Sequence, residues 1–381
     1  MAAAKAGLRG LLRDLHLYLS LAAGLFLVAI AITGAPLVWR DDVDRFLNPG
    51  RYAVTGEELR QPLSRYAENA RAAAGDEFGV LELRLPARAG WPVQAILRAA
   101  ATGGAPARTL VATLDPPTGR VLDVAGMSST LVGVLHNFHH MLMVPQWSGR
   151  QIVGWFGVVL LFLALSGLYL WWPRNGPFVR GLRWRRSPWT STNLHQFAGF
   201  WISVPLAIVA ATGIYLAFPN TAWLLMSSLT PTSQPMRHGG YSALAVRETK
   251  LGPDGALASA LALAPGAQPR TISFPTQQAR QDHQHGKPGG GTWRIRLQES
   301  DGVEPVAILV SDESATAQRA AAPQSGDRAA SLIKGLHEAR RGGPVWAIVV
   351  FATGVAPAIF MATGLIMWLR GRRARPATRR D

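Results

Sequence analysis

The chain has 381 residues, 48% of them apolar, no cysteine and a formal charge of +16. The lack of cysteine excludes disulfides, thiolate-bound zinc, iron–sulfur clusters and CxxCH haem attachment. Fourteen of the basic residues fall in three short segments beside apolar runs (Lys5 to Arg13, Arg174 to Arg186, Arg370 to Arg380), against only Asp14 and Asp381. The rest of the chain, 25 basic against 21 acidic residues, is close to neutral. That is the positive-inside pattern of a membrane protein with both termini and its middle loop in the cytoplasm, and it excludes a nucleic-acid binder.

In chain order, residues 1–39 are a basic cytoplasmic N-terminus and a first span, about Leu15 to Val38, with Trp39 as an interfacial aromatic. An apolar run of 24 residues exceeds the ~7–15 of a signal-peptide core, so it reads as a retained anchor and not a cleaved signal. Residues 40–130 form a first outer module. It holds an amphipathic helix over Glu57–Ala74 with Leu59, Leu63, Tyr66, Ala67 and Ala70 on one face, then strands at Val80–Leu85, Pro92–Arg98 and Thr109–Leu114. The turn Asp115-Pro-Pro-Thr-Gly119 follows.

Residues 131–173 comprise an interfacial prelude, Leu131 to Met143 with Pro145 as its break, and a second span, about Gln151 to Trp172. A basic cytoplasmic loop (174–193) leads to the third span (194–218), where neighbouring helices or water can satisfy the carbonyl freed by Pro205. Residues 219–336 read as a worn copy of the first module. Its helix is Ala256–Leu263, its strands Arg270–Phe274, Thr292–Leu297 and Val306–Val310, and its turn has degenerated to Ser311-Asp312-Glu313-Ser314. "LRLP" at 83–86 matches "ISFP" at 272–275, and Pro275 lies 18 residues before Trp293 where Pro86 lies 5 before Trp91. The second copy therefore carries an insertion over 276–291. The fourth span (337–369) and a basic cytoplasmic tail (370–381) complete the chain.

The fold expected is thus a membrane protein with four transmembrane α-helices and two periplasmic α+β modules, a tandem duplication of helix, module and helix. Functional sites in such duplications tend to lie at the repeat interface. The spans share a grammar. His16 leads to Thr33-Gly34 and His195 to Thr212-Gly213, both with 18 residues from His to Gly; His140 leads to Ser166-Gly167 and His337 to Thr363-Gly364, both with 27.

The stretches LHLYLSLAAGLFLVAIAITG, HHMLMVPQWSGRQIVG…SGLYLWWPR, LHQFAGFWISVPLAIVAATG and LHEARRGGPVWAIVVFATGVAPAIFMATGLIMW resemble the PepSY-associated transmembrane-helix family of bacterial inner-membrane proteins, and LDPPTGRVL at 114–122 is similar to the PepSY turn. The resemblance covers nearly the whole chain. It implies a haem-bearing membrane oxidoreductase, most like the ferrioxamine-type ferri-siderophore reductases. The degenerate second turn departs from the pattern.

The histidines carry a chemical argument of their own. An interfacial histidine can simply hydrogen-bond a carbonyl or a lipid headgroup, but an interface has no need of one at every span. His16 and His195 open inward-starting helices, while His337 and the cluster His136, His139 and His140 precede outward-starting ones. A span of ~30 Å separates the layers, so each layer is a site of its own. Zinc or copper would want further ligands, and no span offers a carboxylate or thiol. Haem iron needs two axial imidazoles, and two such ligands leave no open position, which makes the site an electron carrier. Two b-type haems are expected.

For the periplasmic layer His140, matching His337 without a gap and 9 residues before Gly149, is the preferred ligand. His136, one turn earlier on the same face, is its rival, and His139 reads as structural. Asp282, His283 and His285 in the insertion read as a solvated loop before they read as a metal site. Tyr18, Trp155, Phe156 and Trp201 read as packing or belt residues.

The expected partners are a ferric siderophore of the hydroxamate type, membrane lipid and a separate electron donor, quinol or a cytoplasmic reductase, since the chain has no dinucleotide or phosphate-loop fingerprint. A non-enzymatic permease or ligand sensor is the competing class. A membrane-anchored protease inhibitor would leave the histidine register unexplained.

Overall fold

A computed structural model describes residues 2–100, 107–144, 148–173, 178–180, 182, 184, 187–233, 248–276, 291–299 and 305–373. It divides into two compact units: residues 1–43, 132–233 and 323–381 in one, and residues 44–131 and 234–322 in the other.

The first unit is helical. Its long helices are α1 (Ala2–Gly34), α5 (Gly149–Trp171), α6 (Thr190–Ala217) and α10 (Gly343–Arg373), numbered with the shorter α2 (Arg40–Leu47), α3 (Leu63–Ala74), α4 (Leu131–Met141), α7 (Pro219–Leu229), α8 (Gly252–Leu263) and α9 (Ser325–His337). Among the described residues four helices are long and apolar enough to cross a membrane, and each overlaps one expected span, the fourth starting at Gly343 and not at 337. They close a ring in which α1 packs on α5, α5 on α6, α6 on α10 and α10 back on α1.

Lipid gives no hydrophobic drive for helix association, so small residues at the contacts let backbones approach. A Cβ on Gly354 of α10 would lie 2.7 Å from that of Ala35, just past the end of α1. Pro205 and Pro357 sit inside α6 and α10 without ending them.

Several expectations are corrected here. α1 starts at Ala2, well before Leu15, because an Ala-rich basic stretch continues it. The prelude is a helix as read, and α9 is its unforeseen counterpart before the fourth span. The connection into α5 runs through Leu142, Met143 and Ser148 at positive φ, and that into α10 through Ala339, Gly342 and Gly343. Pro145 and the 277–290 part of the insertion, with Asp282, His283 and His285, lie outside the described residues. The sheet unit takes 234–322 from this half of the chain where 219–336 was expected, because α7 and α9 belong to the helical unit.

The second unit is one antiparallel sheet of eight strands: β1 (Gly79–Arg84), β2 (Val93–Ala99), β3 (Arg108–Leu114), β4 (Val121–Gly126), β5 (Gln268–Ser273), β6 (Thr292–Gln298), β7 (Val306–Ser311) and β8 (Ala317–Arg319). Their order is β4-β3-β2-β1-β5-β6-β7-β8, symmetric about the β1–β5 pair. The two outer segments thus share one sheet and one core instead of forming separate modules.

Leu83 faces Ile272 across that pair, and the flanking bonds repeat the symmetry: Leu85 N–H donates to Arg270 O and Phe274 N–H to Leu81 O, both at 2.9 Å. The residues matched by sequence as LRLP and ISFP are therefore partners across the central ladder. The pairing also re-registers the next strands. Leu83 pairs with Ala95 and Ile272 with Ile295, so Trp293 corresponds to Val93 and not to Trp91.

α3 and α8 pack on the sheet and on each other, and Tyr66, Leu83, Val93, Ile272, Trp293 and Val310 fill the core between. α3 starts at Leu63, six residues later than expected. Pro62 stands at its N-cap, and the carboxylate of Asp254 on α8 accepts from Leu63 N–H (2.6 Å) and Ser64 N–H (3.0 Å).

The two turns share a backbone path. Gly119 N–H donates to Asp115 O and Asp115 N–H to Arg120 O; Ala315 N–H donates to Ser311 O and Ser311 N–H to Thr316 O. The second turn is degenerate in sequence only: Ala315 takes φ +54° where Gly119 takes +70°. Asp115 is wholly buried and accepts from Thr55 N–H (2.6 Å) and Thr55 Oγ1 (2.7 Å). Burial pushes its carboxyl up, but the bonds from Thr118 and Thr55 more than offset this and hold it below the usual carboxylate range. Asp312, one position later in its own turn, takes over the role by accepting from Lys250 N–H, Leu251 N–H and the Trp293 indole N–H at 3.1, 3.1 and 2.9 Å.

Candidate functional site

Each long helix carries a small hydroxyl residue followed by glycine: Thr33-Gly34, Ser166-Gly167, Thr212-Gly213 and Thr363-Gly364. The sequence presents these pairs as the closing marks of the spans. In the structure each of them receives a histidine.

His16 on α1 sits with Nδ1 2.8 Å from Ser166 Oγ, and a Cβ on Gly167 would lie 3.3 Å from its Cε1. His195 on α6 sits 2.8 Å from Thr363 Oγ1, with the Gly364 position 3.7 Å from its Cε1. His337, the last residue of α9, places Nδ1 3.1 Å from Val209 O and 3.2 Å from Thr212 Oγ1, and a Cβ on Gly213 would lie 3.0 Å from its Cε1. His139 on α4 places Nδ1 2.8 Å from Ile30 O, and a Cβ on Gly34 would lie 2.5 Å from its Cε1. Ile30 and Val209 each stand three residues before their threonine, so the two halves of the unit repeat one another contact by contact. Any side chain at Gly34 or Gly213 would displace a ring.

These contacts set the tautomer. A carbonyl cannot donate, so Nδ1 of His139 and of His337 carries the proton. Ser166 and Thr363 direct their own hydroxyl hydrogens to Leu163 O (3.3 Å) and Ile359 O (2.7 Å), so they accept from His16 and His195. Nδ1 of each of the four imidazoles is thus held by a partner on another helix, the arrangement found where a second partner orients a metal-bound histidine. Burial lowers the pKa of His139 and His337, the latter to about 4, which keeps both rings neutral.

The four fall into two layers. His16 and His195 line one cavity of about 510 Å³ together with Gly24, Gly167, Gly199 and Gly364, and Arg9 and Arg13 lie on its wall. Arg9 donates to Leu170 O there. At the other end of the bundle the rings of His139 and His337 stand 6.1 Å apart, tilted by 33°. Among the described residues no three His, Asp or Glu side chains gather as a metal site, so the imidazole pairs are the grouping that remains.

The expectation for the second layer is corrected. His139 occupies the place opposite His337 that spacing assigned to His140, and His136 does not occupy it either. His140 and His136 instead stack on each other, ring centres 5.6 Å apart and planes 16° from parallel. An ungapped match fails because the connection between α4 and α5 is longer than that between α9 and α10, so His139 stands 28 residues before Gly167 where His337 stands 27 before Gly364. The Leu-His dipeptide of His136 and the ungapped match of His140 both pointed away from it. The signal available in sequence was the hydroxyl–glycine pair, which fixes where a ring must land but not which residue of a short helix supplies it.

A family model described as the PepSY-associated TM region matches residues 13–371. The chain belongs to this family. The matched range holds all four histidine contacts and, of the two basic cavity residues, Arg13. No curated protein matches the chain.

Proposed function

We propose that this PepSY-associated membrane protein is a di-haem electron-transfer protein of the bacterial inner membrane, with both termini cytoplasmic, that reduces ferric siderophore at the periplasmic face and so releases ferrous iron. His16 and His195 would hold the inner b-type haem, and His139 and His337 the outer one. When bound, each haem would supply reversible one-electron transfer.

The observation that carries this reading is the fourfold repetition of an imidazole with Nδ1 tied to the opposite helix and Nε2 left free. The residues present fit the group. A metal–imidazole bond is ~2 Å and the ring centre lies roughly 1 Å behind the nitrogen, so two imidazoles on opposite sides of one metal have centres about 6 Å apart. His139 and His337 stand at 6.1 Å. The inner cavity, at about 510 Å³, falls in the ~300–1,000 Å³ range of cofactor-sized sites. Its apolar lining suits a macrocycle, and Arg9 and Arg13 offer positive charge to carboxylates at its edge.

The protein's own part is positional. The hydroxyls and carbonyls hold the rings in one tautomer, the glycines leave room for them, and the apolar helices keep water from the path between layers. A ferric chelate is too large and polar to enter the bilayer, so it must meet the outer layer from the periplasm. The donor is a separate protein or a quinol, in keeping with the absence of a nucleotide fingerprint in the sequence. The symmetric sheet and paired contacts support a tandem duplication of helix, module and helix.

Purified protein is expected to show a Soret band, about two haems per chain, and reoxidation of the dithionite-reduced form by a ferric hydroxamate siderophore. A colourless protein would favour the competing class, a siderophore permease or ligand sensor. A coloured protein that reduces no ferric chelate yet passes electrons to quinone would move it to another pathway.

A further inference from the structure

α4 carries three histidines, and the reading above uses one. His136 and His140 are four residues apart and so share a face one turn apart. Among the described residues neither ring makes a hydrogen bond, in contrast to the four tethered imidazoles, so nothing in the fold occupies their nitrogens. His136 is exposed and His140 half-buried, which leaves the pair open to solvent.

The geometry is that of a chelating pair. With ~2 Å bonds and a tetrahedral angle, two imidazoles on one ion have ring centres about 5 Å apart. The pair stands at 5.6 Å, close to that separation. The same spacing puts two zinc ligands on one helix face in the HExxH motif. Glu338 faces His136 with opposite charge, while Arg40 and Lys334 near His136 and Arg150 near His140 oppose a cation. Two protein ligands in such surroundings make a weak site, suited to passage and not to a resident ion.

We propose that His136 and His140 form a weak, solvent-reachable site for a divalent transition-metal ion of the imidazole-preferring class, beside the outer histidine pair. Resting on the functional reading above, the ion it meets in the cell is the ferrous iron released at that layer.

The test is titration of tag-free, full-length protein in detergent with Cu²⁺, read by electron paramagnetic resonance. One equivalent is expected to bind with nitrogen splitting from two imidazoles and to be displaced by excess Zn²⁺. His136→Asn and His140→Asn are each expected to weaken that binding by about tenfold or more, with haem content and Soret position unchanged. Copper binding that is unaltered in both variants overturns the site. Loss of a haem from either variant overturns it too, since the side chain then serves the haem. Because the copper signal does not depend on reductase activity, the site and the functional reading fail separately: a colourless protein that still loses copper binding on substitution keeps the site and loses the reading.

Discussion

The two units repeat themselves in different ways. In the helical unit the halves keep the same side chains in the same contacts: imidazole, hydroxyl or carbonyl, and glycine, four times over. In the sheet unit the halves keep the same backbone with different side chains. Gly119 answers to Ala315, Val93 to Trp293, and the buried carboxylate moves from Asp115 to Asp312. Packing asks only that a volume be filled and that buried donors find acceptors, which several side chains can do. Orienting a ring with its lone pair at one point asks for particular atoms. The helical unit is where chemistry constrains the chain.

The contrast can be broken at its strongest point by filling a glycine. Gly213→Val would push against the His337 ring, and the outer haem is expected to be lost with the inner one retained, as haem content and the reduced spectrum would record. Equal loss of both haems, or of neither, would erase the distinction between layers. Next in size is Asp312→Ala. It leaves the buried Trp293 indole and two backbone N–H groups without their acceptor, and about 2–4 kcal/mol of stability should go, read as a lower unfolding midpoint with an unchanged Soret band.

Thr363→Val removes the acceptor for His195 and is expected to weaken retention of the inner haem by about ten- to a hundredfold, while Thr363→Ser preserves it. The smallest effect belongs to Ala315→Gly, which relieves a positive φ and should stabilise the protein by about 0.5–1 kcal/mol. A gain there would confirm that the second turn keeps its shape at the expense of its residue.

Much of this was legible in the sequence. Apolar runs located the four spans, alternation located β1, β2, β3 and most of the second set, and the matched tetrapeptides marked the centre of the sheet. β4 was missed because Asp123 and Gly126 interrupt its pattern, and β8 because three residues carry no period. Joining the modules into one sheet was not legible, since edge-to-edge pairing depends on backbone groups that every strand offers. The runs of buried residues in β1 (Gly79, Val80 and Leu81) were a hint that the strand is central. At the site, His16 and His195 keep the register of the continuous helices that carry them, and His337 ends α9 a short connection before α10. His139 could not be chosen, because the connection between α4 and α5 is longer than that between α9 and α10 and so shifts the register that spacing relies on.

The central claim is that contact with the opposite helix, not spacing along the chain, selects the ligands. Haem content and reduced spectra of His139→Ala and His140→Ala, compared side by side, test it most directly. The account predicts that His139→Ala loses the outer haem and keeps the inner one, while His140→Ala keeps both. The outer haem lost from His140→Ala and kept in His139→Ala would contradict it.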